Sequence, residues 1–369
     1  MMERTVAWKV FLIIGLFGAI VKGGPYREAG VCSYIGHDHK ATTPWDPNGV
    51  INPIFRGWAD AVVSYVSVGN ITSDFSNPKM ALGASYSHTY QNGADINDNM
   101  VSYDIVSLGD LLQADINAGT APGQITLSFT QTIRDQNGYD FVVFENGFYV
   151  DENQYFCDLG YVEVSSDGTY FARFPSVSLT GGRVGALGMI DITNIYNLGG
   201  KHPNCIGGDN DSFTGTPFDL SEIRNEPNVV AGLVDLNNIS YVRIVDIPGS
   251  GDFYDDAHKL IDPCTWPNWG YYDANHPIYD AWPTWGSGGF DLEAIGVLQP
   301  QQYGGDINLD GVVDYEDLEI FTQCWLSHFG QDNYLSRCDL AKPKDLTVNF
   351  KDFAEFAKGW RKVEQWRGN

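Results

Sequence analysis

YVEVSSDGTYFARF, residues 161–174, is the stretch on which the fold class turns. Val162 and Val164 alternate with polar neighbours, Ser166-Asp167-Gly168 offers a polar turn whose glycine tolerates positive φ, and Phe171 and Phe174 restore an apolar face. Alternation on both sides of such a turn predicts a β-hairpin. Strand patterns recur outward from it in QITLSFTQTI (124–133), YDFVVFENGF (139–148), SYVRIVDI (240–247) and FDLEAIGVL (290–298). RGWADAVVSYVSV (56–68) suits a short helix or a strand, and a polar, Gly-rich excursion separates the hairpin from residue 240. Strands with long insertions fit a sandwich better than a meander, and 41 Gly, 20 Tyr, 20 Phe and 10 Trp suit many short strands joined by tight turns.

The balance of 22 Lys+Arg against 47 Asp+Glu, a formal net charge of −25, repels phosphate backbones, so nucleic acid is a poor partner. Arg4 and Lys9 precede the apolar run Val10–Val21 and the small residues Gly23 and Gly24, a secretory signal over residues 1–23. That run is short of the roughly 20 apolar residues that cross a bilayer, and no other segment has the length, so no membrane span is expected after signal cleavage. Six cysteines (32, 157, 205, 264, 324, 338) with no CxxC pair favour disulfides over zinc in an exported chain. Cys324 with Cys338 is the most local of the possible pairs, and Cys205 with Cys264 the next choice.

Near the C-terminus, GDINLDGVVDYEDLEIF (305–321) sets oxygen donors at alternate positions. Asp306, Asn308 and Asp310 take loop positions 1, 3 and 5, Gly311 the sharp turn at 6, the Val312 carbonyl 7, Asp314 position 9 and Asp317 position 12. Hard oxygen ligands at this spacing suit calcium. VVDYEDLEIFTQCW (312–325) recurs 35 residues later as TVNFKDFAEFAKGW (347–360), and two such small loop–helix units must pack on one another. The second loop has lost its glycine and carries Lys342, Pro343 and Lys344 among Asp339, Asp345, Asn349 and Asp352, which predicts weak calcium binding or none.

Asp at position 12 and the duplicated loop–helix resemble dockerin modules, which implies a domain at 301–369 that docks to a cohesin-type scaffold protein. By that resemblance, partner recognition falls on Tyr315, Glu316, Phe350 and Lys351. Large residues there, where small hydroxylated pairs are usual, point to a divergent partner or to a role in capping the preceding domain. The hairpin with its later strands resembles the galactose-binding-like jelly rolls, which implies a mostly β, jelly-roll sandwich over residues 24–300. The phrases DFVVFENGF (140–148), YVEVSSDG (161–168), GTPFDL (215–220), VRIVDI (242–247) and SGGFDLEAIGV (287–297) resemble those of bacterial cell-surface proteins of unassigned function.

Neither GxSxG, HExxH nor a glycine-rich phosphate loop is present. Asp140, Glu145, Asn146, Asp246 and Asp291 are candidates for a structural polar or calcium site. A pair of them, or Glu163 or Glu293, could serve a glycoside hydrolase or lyase, but spacing selects none. His37 and His39 are a weaker metal candidate. Trp266, Trp269, Tyr272, Trp282 and Trp285 crowd a Pro- and Asn-rich stretch, and flat rings beside polar groups suit a glycan. The expectation is an exported, calcium-dependent protein that binds a polysaccharide or other glycan without transforming it. The alternatives are a hydrolase or lyase of a polysaccharide-degrading complex, and a surface protein for nutrient capture or adhesion.

Overall fold

The structure, a computed structural model, describes residues 23–44, 46–85, 104–205, 213–260, 275–342 and 344–367. It is mostly β, with 29% of residues in strands against 17% helical. The apolar run of the expected signal segment lies outside the described residues, among which no helix is long and apolar enough to cross a membrane.

Two sheets share one apolar core. The first runs in the order Ala172–Arg173, Gly160–Ser165, Ile239–Asp246, Gln124–Ile133 and Ala61–Val66, antiparallel throughout. The second has the main path Val31–Cys32, Thr214–Phe218, Phe141–Asp151, Asp291–Leu298 and Phe55–Trp58. All five strand patterns read from sequence are present, and the ambiguous 56–68 stretch supplies strand rather than helix. The hairpin closes as its turn chemistry requires. Ser165 Oγ accepts from the Gly168 amide at 2.9 Å, Asp167 Oδ1 accepts from the amides of Thr169 and Tyr170 at 2.7 and 3.0 Å, and Gly168 has φ +75°. Val162 and Val164 then face inward onto Leu127, Val242 and Ile244, while Glu163 on the opposite face bridges Arg173 at 2.7 Å and Arg243 at 2.5 Å.

The excursion after the hairpin is less polar in space than in sequence. Ile190, Ile192, Ile195 and Leu198 bury themselves with Leu159, Tyr161 and Ile247 in a separate cluster, their apolar spacing diluted in the sequence by intervening Asn, Thr and Gly.

The first half of Phe141–Asp151, residues 141–145, is buried on both faces. Phe141 and Val143 join the core between the sheets, whereas Val142 and Phe144 face outward onto Ile54, Phe55, Trp58, Leu309 and Trp366. The last two come from the C-terminal unit, so that unit covers part of the sheet's outer face. Its two helices, Tyr315–Gln323 and Phe350–Gly359, both begin with a capping box, Asp314 with Asp317 and Asn349 with Asp352. The copies pair reciprocally. Val313 exchanges backbone hydrogen bonds with Arg361 and Lys362, and Val348 does so with Leu326 and Ser327, each partner shifted by the same 35 residues. Phe321 and Phe356 meet at 5.3 Å in the middle, in a cluster that also takes in Tyr26, Val177 and Tyr196 of the β domain.

Phe141→Ala removes a fully buried ring that touches Phe174 and Phe218. It should cost about 3–5 kcal/mol in urea unfolding. Phe148→Ala on the same strand, 43% exposed, should stay within roughly 1 kcal/mol.

Candidate functional site

Backbone geometry turns the oxygens of the first C-terminal loop inward. Asp306 accepts from the amides of Asp310 and Gly311 at 3.1 and 3.0 Å, Asn308 Oδ1 from Asp310 at 3.0 Å, and Asp310 Oδ1 from Val312 at 2.8 Å. Asp317 reaches back to the amides of Ile307, Asn308 and Asp314 at 2.7, 3.0 and 2.8 Å. Leu309 and Gly311 both have positive φ, +60° and +87°, which gives the sharp bend that the glycine predicted. Burial, then the neighbouring carboxyls Asp317 and Asp310, push Asp306 well above the ordinary carboxylate range. Burial raises Asp317 to about 6. An array of acidic oxygens that repel one another is what a bound cation would relieve.

The second loop carries its own cation. Lys344 Nζ lies 3.0 Å from Asp219 Oδ2, 2.9 Å from Ser336 Oγ and 3.8 Å from Glu222 Oε1, so a lysine of the degenerate loop pairs with carboxylates of the β domain. Burial lifts Asp339, the loop's first acid, to about 7, a rise that Lys344 opposes. Asp352 accepts from the amides of Ala341 and Asn349 as Asp317 does from Ile307 and Asp314, so the frame of the loop survives the loss of its ligands. A cavity of about 250 Å³ where the domains meet is lined by Asp219, Asp306, Arg337, Asp339 and Lys344.

The residues singled out as one polar centre fall into separate places. Asp140 joins Asp135 and Asp219, whose oxygens all lie within 4.8 Å of one another, the one such group of potential metal ligands among the described residues. His37 and His39 belong to no such group. Asp140 accepts from the amides of Gln136 and Leu220, Asp135 from Arg224 at 2.6 Å, and Asp219 from Lys344, so two basic side chains already serve this group. Asp246 is the last residue of its strand, Asp291 the first of its own and Glu145 lies mid-strand, and the carboxyls that influence them include Asp110, Asp158 and Asp280, which the sequence reading missed. Single aspartates set in apolar surroundings, as in LGDLL, CDLGY and IYDAW, were the available signal. Asn146 pairs in register with Asn204, whose amide donates to Glu293.

Of the aromatic stretch, Trp266, Trp269 and Tyr272 lie outside the described residues. Trp282 is half-buried, donates from Nε1 to the Leu111 carbonyl at 2.9 Å and has the Arg183 guanidinium over its ring at 5.2 Å. Trp285 is 65% exposed on the same loop. Trp282 therefore anchors the loop while Trp285 stands in solvent. On the C-terminal unit Tyr315 and Phe350 are 68% and 71% exposed, each edge-on to the tryptophan of the other copy, Tyr315 to Trp360 at 5.1 Å and Phe350 to Trp325 at 4.9 Å. Glu316 and Lys351 are exposed beside them.

No protein-family model matches the chain, and no curated protein matches it.

Lys344→Met leaves Asp219 and Glu222 buried without their cation and should cost about 3–5 kcal/mol at neutral pH. Burial raises Asp219, but Lys344 holds its carboxyl below the ordinary value. A depressed carboxyl adds stability above its unfolded pKa of about 4 and loses it as pH falls through the folded value. The gap between parent and variant in chemical denaturation should accordingly narrow on acidification.

Proposed function

We propose that the chain is an exported, calcium-binding surface protein whose β domain, a jelly-roll sandwich, binds a glycan. Its C-terminal repeat is a divergent dockerin-like module for a cohesin-type partner. The observation that carries the reading is the first C-terminal loop, in which Asp306, Asn308, Asp310 and Asp317 turn their oxygens inward around a positive-φ glycine. Six or seven oxygen ligands from such a loop suit calcium, with the Val312 carbonyl and Asp314 completing the set. The exposed pairs Tyr315-Glu316 and Phe350-Lys351 sit at related positions of the two copies and offer a partner aromatic rings flanked by charge.

Glycan binding rests on Trp285 and its loop, since an exposed ring beside polar groups matches the apolar face and hydroxyl rim of a sugar. Hydrolysis has less support, because Asp140, Glu145, Glu163, Asp246, Asp291 and Glu293 are all buried, out of reach of a polymer. Export is supported by Cys324 and Cys338, whose sulfurs lie 2.7 Å apart across the C-terminal unit, an arrangement suited to a disulfide in an oxidising compartment.

Three measurements test the reading. Calcium should raise the unfolding temperature of the parent, and Asn308→Ala/Asp310→Ala should remove most of that rise; an unchanged rise would sink the loop as the site. Retention on insoluble polysaccharide should fall about tenfold or more with Trp285→Ala, and a parent that binds none of a broad glycan array fails the glycan assignment. Peptide mapping without reductant should recover Cys324 linked to Cys338, and reduction should then cost about 3 kcal/mol.

A further inference from the structure

The cavity of about 250 Å³ between the β domain and the C-terminal unit takes its walls from both. Tyr139 and Asp219 come from the β domain, Gln301 and Tyr303 from the segment that enters the C-terminal unit, and Arg337 and Asp339 from that unit itself. Its volume is the share of roughly eight waters, room for one small molecule and not for a polymer. The charged lining is balanced, four acidic side chains against four basic, although the whole chain carries 47 against 22. Basic groups are therefore gathered here in a chain that has few of them.

The lysines of the lining are already engaged. Lys344 pairs with Asp219, Lys342 donates to the Gln136 carbonyl at 3.0 Å, and Lys358 pairs with Glu355 at 2.6 Å. Arg337 is not. Its guanidinium lies over the Tyr139 ring at 5.5 Å, and among the described residues it has neither a hydrogen bond nor an ion pair, Nη2 included. A guanidinium presents five N–H donors in a planar fork that matches a carboxylate, so an Arg with no acceptor is poorly used by the protein alone. Two buried neighbours in the lining are unsatisfied as well, Gln301 at Nε2 and Asp339 at Oδ1. Unsatisfied polar atoms occur elsewhere in the molecule; here they border a cavity, and they include a cation, a neutral donor and an acceptor.

We propose that this cavity binds a small hydroxylated carboxylate, a sugar acid of the uronate class, at the junction of the two domains. Arg337 takes the carboxylate, for which a guanidinium fork gives paired, charge-assisted bonds. Asp339 accepts from a hydroxyl and Gln301 donates to another, while Tyr303, half-buried in the lining, offers ring surface to the apolar side of the sugar. An inorganic anion would leave Asp339 without a donor, and a neutral sugar would leave Arg337 without a counter-charge. Because the contacts come from both domains, an occupied cavity ties one to the other. The site is separate from the loop that carries Trp285 and does not depend on it.

Calorimetric titration of the full chain with glucuronate, in the presence of calcium, tests this, with glucose, sulfate and glutamate as comparison probes. Glucuronate should bind, and glucose and sulfate, each lacking half of the match, should bind about tenfold or more weakly. Arg337→Gln should lower the affinity for glucuronate about tenfold or more. Trp285→Ala should leave it unchanged, which keeps this outcome apart from that of the glycan assignment; a loss there would put the sugar acid on the tryptophan loop and overturn the proposal. No binding of glucuronate to the folded chain overturns it, as do equal affinity for glucose, tighter binding of sulfate or glutamate, and indifference to Arg337→Gln. If circular dichroism shows Arg337→Gln unfolded, Gln301→Met decides: loss of its amide donor should weaken glucuronate several-fold, and unchanged affinity overturns the proposal.

Discussion

The first half of the strand Phe141–Asp151 must be covered on both faces, and the arrangement of the rest follows from that constraint. Its sequence runs FVVF, apolar at consecutive positions, so neither face can be left to water without exposing two large side chains. The five-stranded sheet covers Phe141 and Val143. Val142 and Phe144 are covered by Phe55 and Trp58 and by Leu309 and Trp366 of the C-terminal unit. Leu309 is part of the first acidic loop itself, held at φ +60° between Asn308 and Asp310. An ion in that loop would thus be coupled directly to the packing of the central strand, and calcium would stabilise the two domains together.

The two copies of the C-terminal repeat divide the work. The first turns its carboxylates onto its own backbone amides, with Arg367 3.7 Å from Asp310; the second has a lysine in its loop and uses it to reach Asp219 and Glu222. That exchange turns a binding loop into a bolt between domains. It leaves Tyr315 and Phe350 outward, so attachment to the β domain and an outward docking face are compatible on one small unit.

The sheets were legible because alternation and turn chemistry are local. Residues 161–174 carry their own register in Val162, Val164 and the Ser-x-Asp-Gly turn, and the 35-residue repeat exposed the helix pair. The buried excursion at 190–198 was hidden by its Asn and Gly, whose burial depends on tertiary neighbours rather than on pattern. The grouping of carboxylates was illegible for a different reason. Asp140, just before the strand Phe141–Asp151, and Glu145 within it are five residues apart, yet they sit in separate electrostatic environments, Asp140 with Asp219 and Glu145 with Asp291 and Asp280. Five residues of extended chain carry them well apart, and sequence separation says nothing about which other segments lie beside each.

Those environments answer the same problem in different ways. A chain with 47 acidic and 22 basic side chains cannot give every buried carboxylate a lysine or arginine. Lys344 does so for Asp219 from the C-terminal unit, and Arg224 for Asp135. Among the described residues none is ion-paired to Asp158, Asp246 or Asp280. Burial and mutual repulsion hold Asp158, Asp246 and Asp280 well above the ordinary carboxylate range, so the two ends of the sandwich meet the same excess of acid by different means.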